Sequence, residues 1–224
     1  MTTDRKTVLC WSSGKDSAWA LHVLRQQGTE VVGLLTTTNA EFDRVAMHAV
    51  RTELLRAQAA AAELPLIEVP LPYPCSNSEY ESRMSTAVAA LRDQNVTQMA
   101  FGDLFLEDVR RYREERLQPV GIIPLFPLWG SNTRTLAREM VTAGLRAHLT
   151  CVDPQQLDPS FVGRAFDESL LADLPPGVDP CGERGEFHTF AHAGPMFRSP
   201  IPITPGPTVN RDGFCFADLL LPIQ

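Results

Sequence analysis

The chain has 224 residues, 44% of them hydrophobic, and its formal net charge is −7. This composition can bury one large core or two small ones, and the negative charge disfavours a nucleic-acid partner because no basic stripe offsets it. No apolar run is long enough for a membrane span, so no membrane partner is expected. Scattered cysteines without a C-x-x-C pair indicate a reduced, cytoplasmic protein.

The first half of the chain alternates short apolar runs with helical patterns. The apolar runs predict strands at residues 7–11, 31–38, 66–69, 98–101 and 120–123. Apolar residues at helical spacing predict one helix ending before Gly28 and others at residues 48–62, 76–91 and 104–116. Strands that alternate with helices of this length indicate right-handed βαβ crossovers. We therefore expect an α/β fold with a doubly wound, mostly parallel sheet.

The pattern changes after Pro124. A further helix is predicted at residues 132–143, and a strand buried on one face at residues 145–151. Prolines become frequent from residue 154 onward, and Asp212-Gly213 is typical of a hairpin turn. We place a boundary near residue 128, which predicts one domain at residues 1–128 and a smaller α+β domain at residues 129–224.

A polar loop directly follows the first predicted strand and opens the first helix. It reads, in order, Ser12, Ser13, Gly14, Lys15, Asp16 and Ser17. A helix N-terminus behind a strand binds anions through backbone N–H groups, and the hydroxyls and the lysine add donors and positive charge. Asp16 would repel a bare phosphate, which favours a role as a magnesium ligand. The spacings of the Walker A and G-x-G-x-x-G motifs are absent, and an N-capped core helix is the alternative.

A second polar motif lies near the end of the chain. It reads Gly182-Glu183-Arg184-Gly185-Glu186-Phe187-His188-Thr189. Two glycines three residues apart predict a tight loop that leads into a strand and carries carboxylates, an imidazole and a hydroxyl. Composition alone leaves an ordinary surface loop equally open. Zinc bound by His188 and His192 is disfavoured because no cysteine pair accompanies them.

Together these motifs resemble the diphthine–ammonia ligase family of PP-loop ATP pyrophosphatases. The first loop is similar to the family's SGGxDS loop, with Ser13 in place of a glycine, and the second to its GExGE(Y/F)HT segment. Four shorter matches extend the resemblance over nearly the whole chain: Met47-His48, Phe101-Gly102-Asp103, Pro127-Leu128-Trp129 and Gly194-Pro195. The resemblance implies a Rossmann-like fold of the PP-loop ATPase type, in which residues 1–128 bind the nucleotide and residues 129–224 the acceptor.

The resemblance also implies a reaction. ATP is cleaved between its α- and β-phosphates, AMP is transferred to a carboxylate oxygen, and ammonia then displaces AMP to form an amide. The family's known acceptor is diphthine, a modified histidine of elongation factor 2, which exists only where the source makes that modification. A homodimer is compatible with the sequence.

Site roles follow from the same resemblance. Ser12–Ser17 would bind the β- and γ-phosphates of ATP, Asp16 would share Mg²⁺, and Gly102-Asp103 would close the nucleotide site. Glu183, Glu186 and His188, with Thr189, would line the acceptor side and orient or deprotonate ammonium.

Two other functions remain open from the sequence. The first is another PP-loop activity, such as adenylation of a tRNA base, which the acidic charge and the absence of a cysteine pair disfavour. The second is a non-catalytic nucleotide-binding module, which Asp16 and the acid-rich second motif disfavour. Arg110, Arg111 and Arg113 are interpreted as a salt-bridged helix surface.

Overall fold

The computed structural model describes residues 5–45 and 50–222. The Met47-His48 pair of the resemblance lies outside these residues, as does the start of the helix predicted at residues 48–62. Within the described ranges no helix is both long and apolar enough to cross a lipid bilayer.

The first half of the chain forms a sheet flanked by helices. In chain order its elements are β1 (Lys6–Cys10), α1 (Lys15–Gln26), β2 (Val31–Asn39), β3 (Arg44–Val45), α2 (Thr52–Ala61), β4 (Leu66–Leu71), α3 (Asn77–Asp93), β5 (Val96–Ala100), α4 (Glu107–Leu117) and β6 (Ile123–Leu125). The parallel strands run in the order β4-β2-β1-β5-β6, and the short β3 pairs antiparallel with the end of β2. The predicted α/β fold with a mostly parallel sheet is confirmed.

Local signals explain most boundaries in this half. Ser76 caps α3, because its Oγ accepts a hydrogen bond from the N–H of Glu79 at 3.2 Å, as the capping-box spacing predicts. The strand predicted at residues 120–123 is wrong at its start, since Val120 ends a 3₁₀ turn and the chain becomes extended only at Ile123. Pro119 lies within that turn and Gly121 leaves it with a φ of 74°, which together prevent an earlier strand.

The second half, described as far as residue 222, forms an antiparallel sheet with helices before and between its strands. Its elements are α5 (Thr133–Thr142), β7 (Arg146–Val152), α6 (Glu168–Asp173), β8 (Phe187–Ala193), β9 (Thr204–Arg211) and β10 (Phe214–Leu220), with the strand order β8-β7-β10-β9. The hairpin predicted at Asp212-Gly213 joins β9 to β10, and both residues have positive φ, of 53° and 83°.

The two sheets share a hydrophobic core. A contiguous cluster of buried side chains includes Leu9, Leu21 and Leu54 from the first half and Phe187 and Phe190 from β8. The second sheet therefore packs on the side of the first that carries α1 and α2. The division at residue 128 stays a prediction.

Candidate active site

A cavity of about 1010 Å³ lies at the carboxyl edge of the parallel sheet. Three segments from distant parts of the chain line it: the loop after β1, the Gly102-Asp103 turn after β5, and the loop before β8 together with the start of that strand. Farther in, side chains of α3 and α4, such as Met84, Val88 and Leu117, form an apolar wall. Open α/β sheets bind ligands at this edge.

The loop after β1 is held in one shape by its own hydroxyls. Ser17 Oγ donates to the Gly14 carbonyl at 3.0 Å and lies 3.1 Å from Ser12 Oγ, which accepts from the Gly14 N–H at 3.3 Å. Ser13 has a φ of 69°, a conformation that suits the glycine of the related loops. Ser13 is fully buried and does not line the cavity, whereas the other five residues of the loop do. The side chain of Ser13 therefore does not face the cavity in which its predicted phosphate contact would lie.

Lys15 connects the two halves of the protein. Its side chain is 2% exposed, and its ammonium donates to Asp16 Oδ2 at 2.8 Å and to the Cys181 carbonyl. Its backbone N–H donates to Thr189 Oγ1 at 3.0 Å. Desolvation lowers the pKa of Lys15, but Asp16, Cys181 and Glu183 together outweigh it and leave the pKa above its ordinary value. Lys15 is thus a buried cation that holds the second motif against the first.

Asp16 presents one oxygen that the protein does not use. Oδ2 accepts from Lys15, while Oδ1 is buried and has no hydrogen-bond partner in the described chain. Burial raises the pKa of Asp16, and Lys15 opposes that effect. Within residues 5–45 and 50–222, no group of three acidic, histidine or cysteine side chains could hold a metal ion. A cation here would need ligands from a phosphate, which is how Mg²⁺ commonly binds.

The Gly102-Asp103 turn packs directly on the start of α1. A Cβ atom on Gly102 would lie 3.0 Å from the Asp16 carbonyl carbon and 3.0 Å from the Ser17 nitrogen, so the start of α1 would have to shift by a few tenths of an ångström to accommodate it. Asp103 is bound by Arg113 through two hydrogen bonds, of 2.6 and 3.1 Å. The turn thus closes the cavity beside the loop.

Of the three arginines that the sequence predicts on the surface of α4, one does not lie there. Arg113 lines the cavity, with its guanidinium 4.2 Å from the centre of the Phe101 ring, so it is not a solvated surface residue. Arg110 pairs with Glu114 at 2.8 Å and Arg111 is exposed, in line with the predicted salt-bridged face.

The second motif brings Glu183 and His188 into the cavity. Gly182 allows the turn, because a Cβ atom at its φ of 68° would lie 2.7 Å from the Phe187 carbonyl oxygen. Glu183 Oε1 accepts from the Leu104 N–H at 2.7 Å, and burial raises the pKa of this carboxyl to about 7. Burial lowers the pKa of His188 to about 4, so its imidazole is neutral at physiological pH.

Glu186 does not belong to the cavity, contrary to its predicted catalytic role. Its carboxylate is 2% exposed and accepts two backbone hydrogen bonds, from Asp179 at 2.8 Å and from Arg184 at 3.0 Å. Because both oxygens bind the loop that carries them, Glu186 braces that loop. Thr189 is also buried, and its hydroxyl lies on the first loop rather than on a separate acceptor side.

Sequence reasoning missed Gln58, which contacts the back of the first loop. The residue is 0% exposed and its side-chain amide binds Trp11, Ser13 and Ala191. The available signal was a polar residue four positions after Leu54, on an otherwise apolar helical stripe.

The fold and the site define a class: an α/β protein whose first strand–loop–helix turn lines a cavity that segments of a second, antiparallel sheet also line. A family model for the N-terminal domain of diphthamide synthase matches residues 5–123, and one for its C-terminal domain matches residues 132–215. The chain therefore belongs to the diphthamide synthase family.

Curated relatives agree with this family. The chain is 27% identical to the diphthine–ammonia ligases of Bos taurus and Homo sapiens, over 92% of its own length and 85% of theirs. It is 29% identical to the Danio rerio protein of the same name, over 92% and 89%. The chain is accordingly an enzyme of the ligase class. A solved structure titled as a predicted tRNA methyltransferase subunit from Methanocaldococcus jannaschii is 17% identical, with a TM-score of 0.39 over 62% of this chain and 75% of that one.

Proposed function

We propose that the protein is an ATP-dependent, AMP-forming amide ligase that adenylates a carboxylate and transfers ammonia to it. One observation supports the proposal: the loop after β1 and the loop before β8 meet in one cavity, so the polar groups of the first loop and Glu183 and His188 of the second face the same space. A passive nucleotide-binding module would not need these groups there.

The first reaction step suits the loop after β1. The acceptor carboxylate oxygen attacks the α-phosphorus of ATP, the bond to the bridging oxygen breaks, and pyrophosphate leaves. The N–H groups of Asp16 and Ser17 in the first turn of α1, with the hydroxyls of Ser12 and Ser17, would bind the departing pyrophosphate. Such donors stabilise the charge that develops on it.

The residues present also fit a magnesium ion. Asp16 Oδ1 is a buried oxygen without a protein partner and would ligate the metal together with phosphate oxygens. Bound there, Mg²⁺ would neutralise charge on the pyrophosphate.

The second step suits the groups from the other half. The ammonia nitrogen attacks the acyl carbon, AMP leaves with the carboxylate oxygen, and the nitrogen loses a proton. Glu183 and the neutral His188 imidazole are the groups we assign to bind ammonium and to accept that proton. The diphthine–ammonia ligase names of the relatives support diphthine in elongation factor 2 as the acceptor, where the source organism makes it.

Product analysis tests the proposal. The protein is incubated with MgATP, ammonium and diphthine-bearing elongation factor 2, with the acceptor carboxylate labelled with ¹⁸O. We expect AMP and pyrophosphate, with the label in the AMP phosphate and an amide on the acceptor. Accumulation of ADP and phosphate, or unlabelled AMP, would contradict the mechanism. Reactions without ammonium, or with unmodified elongation factor 2, are the controls.

A further inference from the structure

The backbone at Ser13 is held in a conformation that a serine does not favour. Its φ of 69° lies in the left-handed region, which is unfavourable for residues that carry a Cβ atom. Its hydroxyl is buried, and the described residues offer it no hydrogen-bond partner. The Ser13 hydroxyl therefore does not stabilise this backbone conformation, and the stabilisation must come from another group.

The Ser13 carbonyl supplies that stabilisation. It accepts two hydrogen bonds, one from the Ala191 N–H of β8 at 3.0 Å and one from the Gln58 Nε2 of α2 at 2.9 Å. These two donors fix the direction of the peptide group between Ser13 and Gly14. They therefore fix where the next N–H groups, which open α1, point.

Both polar atoms of the Gln58 side chain make hydrogen bonds in this arrangement. Besides Ser13, its Nε2 donates to the Ala191 carbonyl at 2.6 Å, and its Oε1 accepts from the Trp11 indole N–H at 2.9 Å. Gln58 thereby ties the end of β1, the loop and β8 together. It is fully buried and does not line the cavity, so any effect on a ligand must pass through the loop.

We propose that Gln58 is a positioning residue for the phosphate loop, which holds Ser13 at positive φ and so sets the direction of the N–H groups of Asp16 and Ser17 at the start of α1. This inference rests on the proposed function, because it assigns phosphate binding to that loop.

A positioning role and a simple contribution to stability differ in one respect. A glycine at position 13 adopts positive φ without steric cost, so Ser13→Gly should make the loop independent of Gln58. Ser13→Gly should not repair a general loss of packing around a buried glutamine. The pair of substitutions therefore separates the two roles.

The experiment compares Gln58→Met with and without Ser13→Gly, measuring MgATP affinity by calorimetry and the free energy of unfolding by denaturant titration. We expect Gln58→Met to weaken MgATP binding by about tenfold, equivalent to about 1.4 kcal/mol. The double variant should recover most of that affinity while staying as unstable as Gln58→Met. If the affinity loss persists in the double variant, Gln58 does not act through Ser13 and the inference is wrong.

Gln98→Met is the matched control. Gln98 is also a buried glutamine, 8% exposed, and its Oε1 accepts from Thr7 Oγ1 at 3.0 Å, away from the loop. We expect its MgATP affinity to change by less than about threefold, as for a site without shared partners. An equal loss of affinity in this control would assign the effect to stability and overturn the inference.

A readout without ligand keeps the inference separate from the proposed function. Backbone scalar couplings and chemical shifts report the φ of Ser13 in the isotopically labelled protein. We expect Gln58→Met, or Gln58→Asn should the first variant not fold, to remove the positive φ, and an unchanged φ would refute the inference. If the wild-type protein binds no MgATP, the proposed function fails, whereas this measurement still decides the role of Gln58.

Discussion

Glu183 carries a carboxylate whose charged form is unfavourable in the folded protein. Burial raises its pKa from the ordinary 4.5 to about 7, although its Oε1 accepts from the Leu104 N–H. Glu183→Gln keeps a carbonyl oxygen for that N–H and removes the charge. We expect this variant to bind MgATP, to lose amide formation, and to be more stable than the wild type at alkaline pH.

The magnitude follows from proton linkage. The folded protein holds the Glu183 proton more tightly than the unfolded chain, so wild-type stability falls as the pH rises from about 4.5 through about 7. This displacement corresponds to about 3 kcal/mol, because each pKa unit is worth about 1.36 kcal/mol. The advantage of Glu183→Gln should therefore be below about 1 kcal/mol at pH 5 and about 3 kcal/mol at pH 8.5.

Denaturant unfolding at these two pH values measures the difference directly. Glu115→Gln, which removes a carboxylate from the exposed face of α4, is the control and should stay within about 0.5 kcal/mol of the wild type at both. If the stability advantage of Glu183→Gln is the same at pH 5 and pH 8.5, the Glu183 carboxylate is not desolvated as described. Wild-type amidation by this variant would remove Glu183 from the proposed chemistry.

Four further substitutions test the site. Asp16→Asn should remove on the order of 3 kcal/mol of transition-state stabilisation and so slow turnover, while the circular dichroism spectrum stays unchanged. A near-wild-type rate would show that Asp16 acts only as a helix cap. Gly102→Ala should weaken MgATP binding by about tenfold, since its Cβ would displace the start of α1 by a few tenths of an ångström, whereas Gly177→Ala has open space and should not. His188→Ala should keep MgATP affinity in calorimetry and lose amide formation; a loss of both would move His188 to the nucleotide side. Glu186→Gln should lower the free energy of unfolding by about 1–3 kcal/mol, because its amide would turn a donor toward a backbone N–H, and unchanged stability would contradict the bracing role.

The parallel half of the fold could be predicted because its signals are local. Each buried strand is a short apolar run bounded by turn residues, and Ser76 marks a helix start in the sequence itself. The second sheet was harder to predict from the sequence. The strand β9 contains Pro205 and Pro207, which argue against a strand, and they are tolerated because β9 lies at the sheet edge, where a missing N–H is not needed.

The candidate site also has one part that the sequence predicts and one part that it does not. The loop at the start of α1, where an anion site is predicted, follows from a strand–loop–helix pattern within six residues. The roles of Glu186 and Gln58 depend on which backbone groups approach them from the rest of the fold. A glutamate that braces its own loop and one that faces a cavity cannot be told apart in the sequence. Only the paired N–H groups of Asp179 and Arg184 distinguish them.

The hydrophobic core that the two sheets share has a consequence for turnover. Separating the halves like a hinge would expose Leu9, Leu54 and Phe190 to water and detach the Lys15 ammonium from Cys181. That opening is too unfavourable to occur once per catalytic cycle. Reactants must therefore enter and leave through the mouth of the cavity. The release of products should then depend on small movements of the loops around that mouth.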